Sequence, residues 1–98
     1  MTPVIEMLRF DVSEADRDRW LEVERRVWTG FLQTVPGFLR KETWIDEGDT
    51  DAVTVVIWWA SLDHWRAVTA EQCEAVDKEM GEWVRPCTMR SWSVARVD

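Results

Sequence analysis

Glu6 is the lone charge among Val4, Leu8 and Phe10, which share one face of the alternating stretch from Val4 to Val12. A carboxylate in such company loses much of its hydration unless it is paired, hydrogen-bonded or protonated. One reading gives it a structural hydrogen bond to a Trp indole, to Arg66 or to Arg90; the other makes it a functional acid or base. Glu24 interrupts an apolar helical stripe in the same way. If that helix lies across the first strand, both carboxylates enter one apolar pocket, and their repulsion raises one pKa, which suits a proton shuttle. Alternatively Glu24 sits at the stripe's edge, reaching solvent or pairing with Arg17 or Arg90. His64, the single histidine, follows Asp63 in the first turn of a short helix. An exposed imidazole is expected there, with a role at the entrance of a site as the sharper alternative.

The chain has eight Trp and no Tyr. An indole brings a large apolar face with one donor, which suits packing, stacking and flat apolar ligands. Trp28, Trp44, Trp59 and Trp65 fall on or beside a predicted sheet–helix layer, where they serve as core or as the walls of a pocket for a planar ring. Trp58 and Trp92 are placed toward a partner subunit instead. No second His or close Cys gives a zinc or iron spacing, so no metal is expected. Nor is there a Ser-His-Asp or Cys-His set for nucleophilic catalysis, or a glycine-rich phosphate loop. Cys73 and Cys87 read as reduced, mostly buried thiols, although their pairing in space stays open.

The elements that must carry these residues are legible as hydrophobic period and punctuation. After the first strand, Ser13 stands at an N-cap position, with Glu14 and Asp16 favouring the positive end of a helix dipole. Trp20, Leu21, Glu24, Val27, Trp28, Phe31, Leu32 and Val35 then recur at helical steps until Pro36-Gly37. Phe38 to Asp46 reads as a strand with Phe38, Arg40, Glu42 and Trp44 on one face and Leu39, Lys41, Thr43 and Ile45 on the other. A turn from Asp46 to Asp51 leads into Val53 to Trp59, apolar on both faces as a buried strand should be. Ser61 caps a short helix through Val68, and Thr69 with Gln72 forms a capping-box pattern opening a helical segment that carries Cys73, Val76, Met80, Trp83 and Val84 and ends at Pro86. Thr88 to Val97 closes the chain as a strand. This β-α-β-β-α-β order predicts an α+β, ferredoxin-like sandwich: a four-stranded antiparallel sheet with helices on one face, leaving the other face free for a partner.

At 98 residues a single domain spanning 1–98 is expected. A net charge of −7 with no basic strip argues against nucleic acid. Met1 to Phe10 has neither a basic leader nor an apolar span, so no membrane association and a cytoplasmic location are expected.

Several pieces of the chain, taken together, resemble the dimeric α+β barrel superfamily that includes the antibiotic biosynthesis monooxygenases. They are Val4-Ile5-Glu6, Trp28-Thr29 with Phe31-Leu32, Pro36-Gly37-Phe38-Leu39, Lys41-Glu42 with Trp44-Ile45-Asp46, and Trp59 with Ser61 and Trp65. More narrowly they resemble a small, functionally unassigned bacterial family best known from cyanobacteria. The resemblance covers nearly the whole length and implies a homodimer with sheets packed face to face, a pocket between sheet and helices, and no required metal or flavin. Quinone-forming members react an electron-rich substrate directly with oxygen, helped by Asn, Trp and Tyr; haem-degrading relatives use Asn, Trp and His. Here there is no Tyr, Glu6 stands near where the haem degraders place Asn, and His64 lies too early to be an axial ligand.

The leading expectation is therefore a homodimer binding a small, planar, largely apolar molecule, with a cofactor-independent monooxygenase chemistry in which Glu6 and Glu24 handle protons, the Trp residues hold the ring and His64 guards the entrance. The rival is a non-enzymatic binding or assembly module of the same fold whose pocket is filled by side chains; a haem role ranks third. A closed, dry core favours the rival, whereas a cavity lined by Glu6 and reaching solvent favours the first.

Overall fold

The computed structural model describes residues 2–98. Alternation in the first strand, β1 (Val4–Asp11), turns Glu6, Leu8 and Phe10 toward the helices and Ile5, Met7 and Arg9 away. It is followed by one continuous helical run: α1 (Arg17–Glu24), a π-helical turn (Arg25–Thr29) and α2 (Gly30–Leu32). Strands β2 (Phe38–Ile45) and β3 (Ala52–Trp59) form a hairpin. Then come α3 (Leu62–Ala67), α4 (Ala70–Met80), a 3-10 turn (Gly81–Trp83) and β4 (Cys87–Ser93). The sheet runs β2-β3-β1-β4, every pair antiparallel, which is the ferredoxin-like arrangement the element order predicts.

β3 lies between β1 and β2 and is the most apolar strand. Its Val53, Val55, Ile57 and Trp59 join Val4 and Val12, with Trp20, Val23, Val27 and Leu32 of the first helical run and Val76 and Met80 of α4, in a core between sheet and helices. The opposite face of the sheet carries Ile5, Met7, Val56, Trp58 and Trp92. There Arg40 stacks on Trp58 and Arg90 on Trp92. Among the described residues no helix is long and apolar enough to cross a membrane.

Local chemistry sets most boundaries. Ser61 Oγ accepts the His64 N–H at the start of α3, and Thr69 and Gln72 satisfy both halves of the capping box at α4. Gly37 has φ +83° and lies against the His64 ring, where a Cβ would come within 2.3 Å of a ring carbon, so only glycine fits. Ser13 does not cap the helix directly: its hydroxyl accepts the Asp16 N–H in a turn that precedes α1. Gly81, with φ +59°, ends α4 before Pro86 is reached, and β4 stops at Ser93 rather than Val97.

The largest departure from simple alternation is in β2. Phe38 pairs with Trp59 but Arg40 pairs with Trp58, so an extra residue, Leu39, sits in the strand as a bulge and is 57% exposed. A bulge reverses the facing of everything after it. Phe38 faces the helices, packing edge-on against Trp59. Past the bulge, Arg40, Glu42 and Trp44 face away, and Lys41 faces inward. The expectation that Phe38, Arg40, Glu42 and Trp44 share a face is corrected by this one inserted residue.

Candidate functional site

Between the sheet and the helices lies a cavity of about 300 Å³, at the small end of the range for ligand sites. β1 contributes Glu6, Leu8 and Phe10. The first helical run contributes Trp20, Glu24, Trp28 and Leu32, and β3 contributes Val55, Ile57 and Trp59. Trp65 of α3 and Cys73, Asp77 and Met80 of α4 close one side, and Val84, Cys87 and Met89 another. Trp20, Glu24 and Trp59 are buried, whereas Asp77, Val84, Cys87 and Met89 are exposed, so the cavity has a closed floor and a rim between α4 and β4. A more open groove of about 450 Å³ lies between Arg26–Thr34 and Gln72–Glu79 and lacks such a floor.

Glu6 projects into this space from the pleat of β1. Its Oε1 accepts a 3.1 Å hydrogen bond from Trp59 Nε1, contributed by the neighbouring strand. Burial raises its pKa above the ordinary carboxylate value, and the indoles of Trp59 and Trp65 oppose that shift only in part. Of the partners expected for Glu6, the structure supplies a Trp indole and neither arginine. A carboxylate held by neutral donors, with no cation on it, keeps lone pairs free and takes up a proton more readily than one in a salt bridge.

Glu24 is treated differently. It also lines the cavity, but Lys41 Nζ lies 2.6 and 2.5 Å from its two oxygens and 2.7 Å from Thr29 Oγ1. The Lys41 and Glu24 side chains are each only 6% exposed. The ammonium's three protons are thereby all engaged. Burial depresses the Lys41 pKa, and Glu24 counters it. The pairing of Glu24 with Arg17 or Arg90 is thus replaced by one with Lys41, which only the β2 bulge turns inward. Thr29 belongs to the π-helical turn, an irregularity often found at functional sites.

Three of the four selected tryptophans meet in the cavity: Trp28, Trp59 and Trp65. Trp28 Nε1 donates to Asp77 Oδ1 at 3.2 Å, tying the first helical run to α4. Trp44 is not among them. The bulge turns it to the other face, where its indole donates to Glu42. His64 does not line the cavity either; it is half-buried over Gly37. Its backbone N–H donates to Ser61 Oγ, and its Nδ1 shares a hydrogen bond of 2.7 Å with the same hydroxyl. Trp20, the first residue of the helical stripe, lines the cavity's floor at 1% exposure, tilted against Phe10. Its Nε1 is buried without a partner. Asp77, Cys73 and Cys87 also reach the cavity, though no local pattern marks them. Among the described residues no group of three or more His, Cys, Asp or Glu could hold a metal ion.

A family model described as antibiotic biosynthesis monooxygenase matches residues 3–73, a span that holds Glu6, Glu24, Trp28, Trp59 and Trp65 but stops short of Asp77 and β4. Among solved structures, SnoaB, a cofactor-independent oxygenase from Streptomyces nogalater, superposes with a TM-score of 0.74 at 14% identity, covering 99% of this chain and 97% of that one. A monooxygenase from the gene ActVA-Orf6 of Streptomyces coelicolor, in complex with the ligand nanaomycin D, gives 0.72 at 20% identity, covering 99% and 91%. A conserved protein from Methanosarcina mazei Go1 gives 0.72 at 7% identity, covering 94% and 92%. At such identities these likenesses establish the shared fold. No curated protein matches the chain.

Proposed function

The chain belongs to the antibiotic biosynthesis monooxygenase family, and from that premise we propose that it binds a small planar aromatic molecule in the cavity and oxidises it with dioxygen, without a cofactor. The observation that carries this reading is Glu6: a cation-free carboxylate of raised pKa inside a Trp-walled cavity with an exposed rim. The oxygenases among its structural neighbours support the same class of chemistry.

In this reading the ring lies against Trp28, Trp59 and Trp65, and Glu6 accepts the proton of a ring hydroxyl. The electron-rich phenolate then passes electrons to dioxygen. One oxygen atom enters the ring carbon and the other leaves as water, so that a phenol and dioxygen give a quinone and water. A base closer in pKa to the phenol removes its proton more effectively, which is what the burial of Glu6 provides. Glu24, bound by Lys41, holds the wall in place, and His64, packed on Gly37, sets the start of α3 and hence the position of Trp65. The sheet's outer face, with Trp58, Trp44 (44% exposed) and Trp92 (41% exposed), is the surface we assign to a second copy of the chain.

Oxygen uptake measured over a series of polycyclic phenols tests the activity. Glu6→Gln keeps an acceptor for the Trp59 indole but loses the base, and is expected to lower turnover about 100-fold with the fold intact. Unchanged turnover in that variant removes Glu6 from the mechanism. Binding without oxygen uptake by any phenol favours a non-enzymatic binding module.

A further inference from the structure

The hydrogen-bonding groups around the cavity are unevenly divided between donors and acceptors. Trp59 Nε1 is committed to Glu6 and Trp28 Nε1 to Asp77. Lys41, which alone faces Glu24, has all three protons engaged. Arg85 donates to the carbonyls of Glu82 and Val84 at 2.8 and 3.1 Å and lies 3.5 Å from an Asp16 carboxylate oxygen. Of the two remaining indoles, that of Trp65 is turned to Glu6 and that of Trp20 is sealed from solvent. Arg85 belongs to the cavity's lining, and among the described residues each of these two cations already faces a carboxylate, Lys41 on Glu24 and Arg85 near Asp16.

Acceptors are in surplus. A carboxylate has about four lone-pair sites; Glu6 uses at most two of them on Trp59 and Trp65, and Asp77 uses one on Trp28. Glu6 stands on the inner wall and Asp77 at the rim, neither neutralised by a cation. Both charges reach Cys73 and Cys87, where, after burial, they push the thiol pKa values upward. A ligand crossing the rim thus passes one carboxylate and ends beside another, in a space walled by low-dielectric side chains that screen charge poorly.

We propose that the cavity selects an uncharged or cationic aromatic bearing a hydroxyl or amine hydrogen-bond donor, and rejects an aromatic carboxylate of the same size. This rests on the ligand-binding reading above and adds to it the charge and polarity of the ligand. Like charges brought together at a binding surface are strongly unfavourable, and a buried acceptor left unpaired loses binding to any analogue that lacks the donor.

Calorimetric titration of the full chain with four naphthalene probes tests it: 2-naphthol, 2-naphthylmethylamine, 2-methoxynaphthalene, whose donor is capped, and 2-naphthoate. The naphthol and the amine are expected to bind at least about tenfold more tightly than the naphthoate, with the methoxy compound about fivefold weaker than the naphthol. In a Glu6→Gln, Asp77→Asn double variant, whose amides still accept the two indole bonds, the penalty on naphthoate is expected to shrink to about threefold. Equal binding of all four probes leaves the pocket standing and overturns the proposed selectivity. So does a naphthoate penalty that survives intact in the double variant. Binding of none of the probes overturns the pocket reading and this inference with it.

Discussion

Two carboxylates line one cavity, and their surroundings could hardly be less alike. At the β2 side, Glu24 meets an ammonium whose remaining proton goes to Thr29, so all strong groups are spent on one another. On β1, Glu6 meets indoles, donors that orient it without neutralising it. The first arrangement fixes a helix against a strand. The second leaves a carboxylate with free lone pairs facing the cavity. The same residue type on two walls of one cavity, Glu24 on α1 and Glu6 on β1, is neutralised or left cation-free by whether an ammonium reaches it, and the reach of Lys41 depends on one bulged residue.

The largest expected effect comes from breaking the structural half. Lys41→Met leaves Glu24 buried and unpaired and is expected to cost about 3–5 kcal/mol in chemical denaturation. Adding Glu24→Leu should return most of that loss, because an ion pair replaced as a unit by apolar groups is close to neutral. Failure of the second change to rescue the first would mean that Lys41 acts through something other than Glu24. A smaller effect is expected from Thr29→Val, about 1.5 kcal/mol for one bond to a charged donor. If that variant instead matches the loss in Lys41→Met, the π-helical turn and not the ion pair is what the contact secures.

Glu6 should behave in the opposite sense. Its pKa is raised in the folded protein above about 4.5, its ordinary value, so within the window between the two values the folded chain binds more protons than the unfolded one. Stability therefore falls as pH rises through that window. Glu6→Gln removes the dependence, and the difference between wild type and variant should move against wild type from pH 4.5 upward. This is the smallest of the three effects, read from melting curves at several pH values. A trend of the reverse sign would show Glu6 paired with a cation, as Glu24 is.

Much of this contrast was open to reading in the sequence, and the unread part has a common cause. Glu6, the helical stripe with Glu24, the caps at Ser61 and Thr69, and the stop at Pro36-Gly37 are local patterns, set by neighbours within four residues. Leu39 carries no such mark: whether a strand bulges depends on its register with β3, settled across the hairpin. From that single position follow the inward turn of Lys41, the partner of Glu24, and the outward turn of Trp44. Val23 is buried with Trp20 and Glu24 in α1, at an ordinary helical step that the expected stripe passed over. Asp77 and the two cysteines enter the cavity only through the packing of α4 and β4, which no short motif encodes. His64 was expected in solvent, and is instead half-buried because Gly37 has no side chain to keep the ring away.

Whether a planar ring enters the cavity with its donor on Glu6 is tested by a crystal structure of the protein soaked with 2-naphthol. The ring is expected between sheet and helices against Trp28, Trp59 and Trp65, with its oxygen within hydrogen-bonding distance of the Glu6 carboxylate. Naphthol seated on the outer face of the sheet, or in the cavity with its oxygen turned away from Glu6, would contradict it.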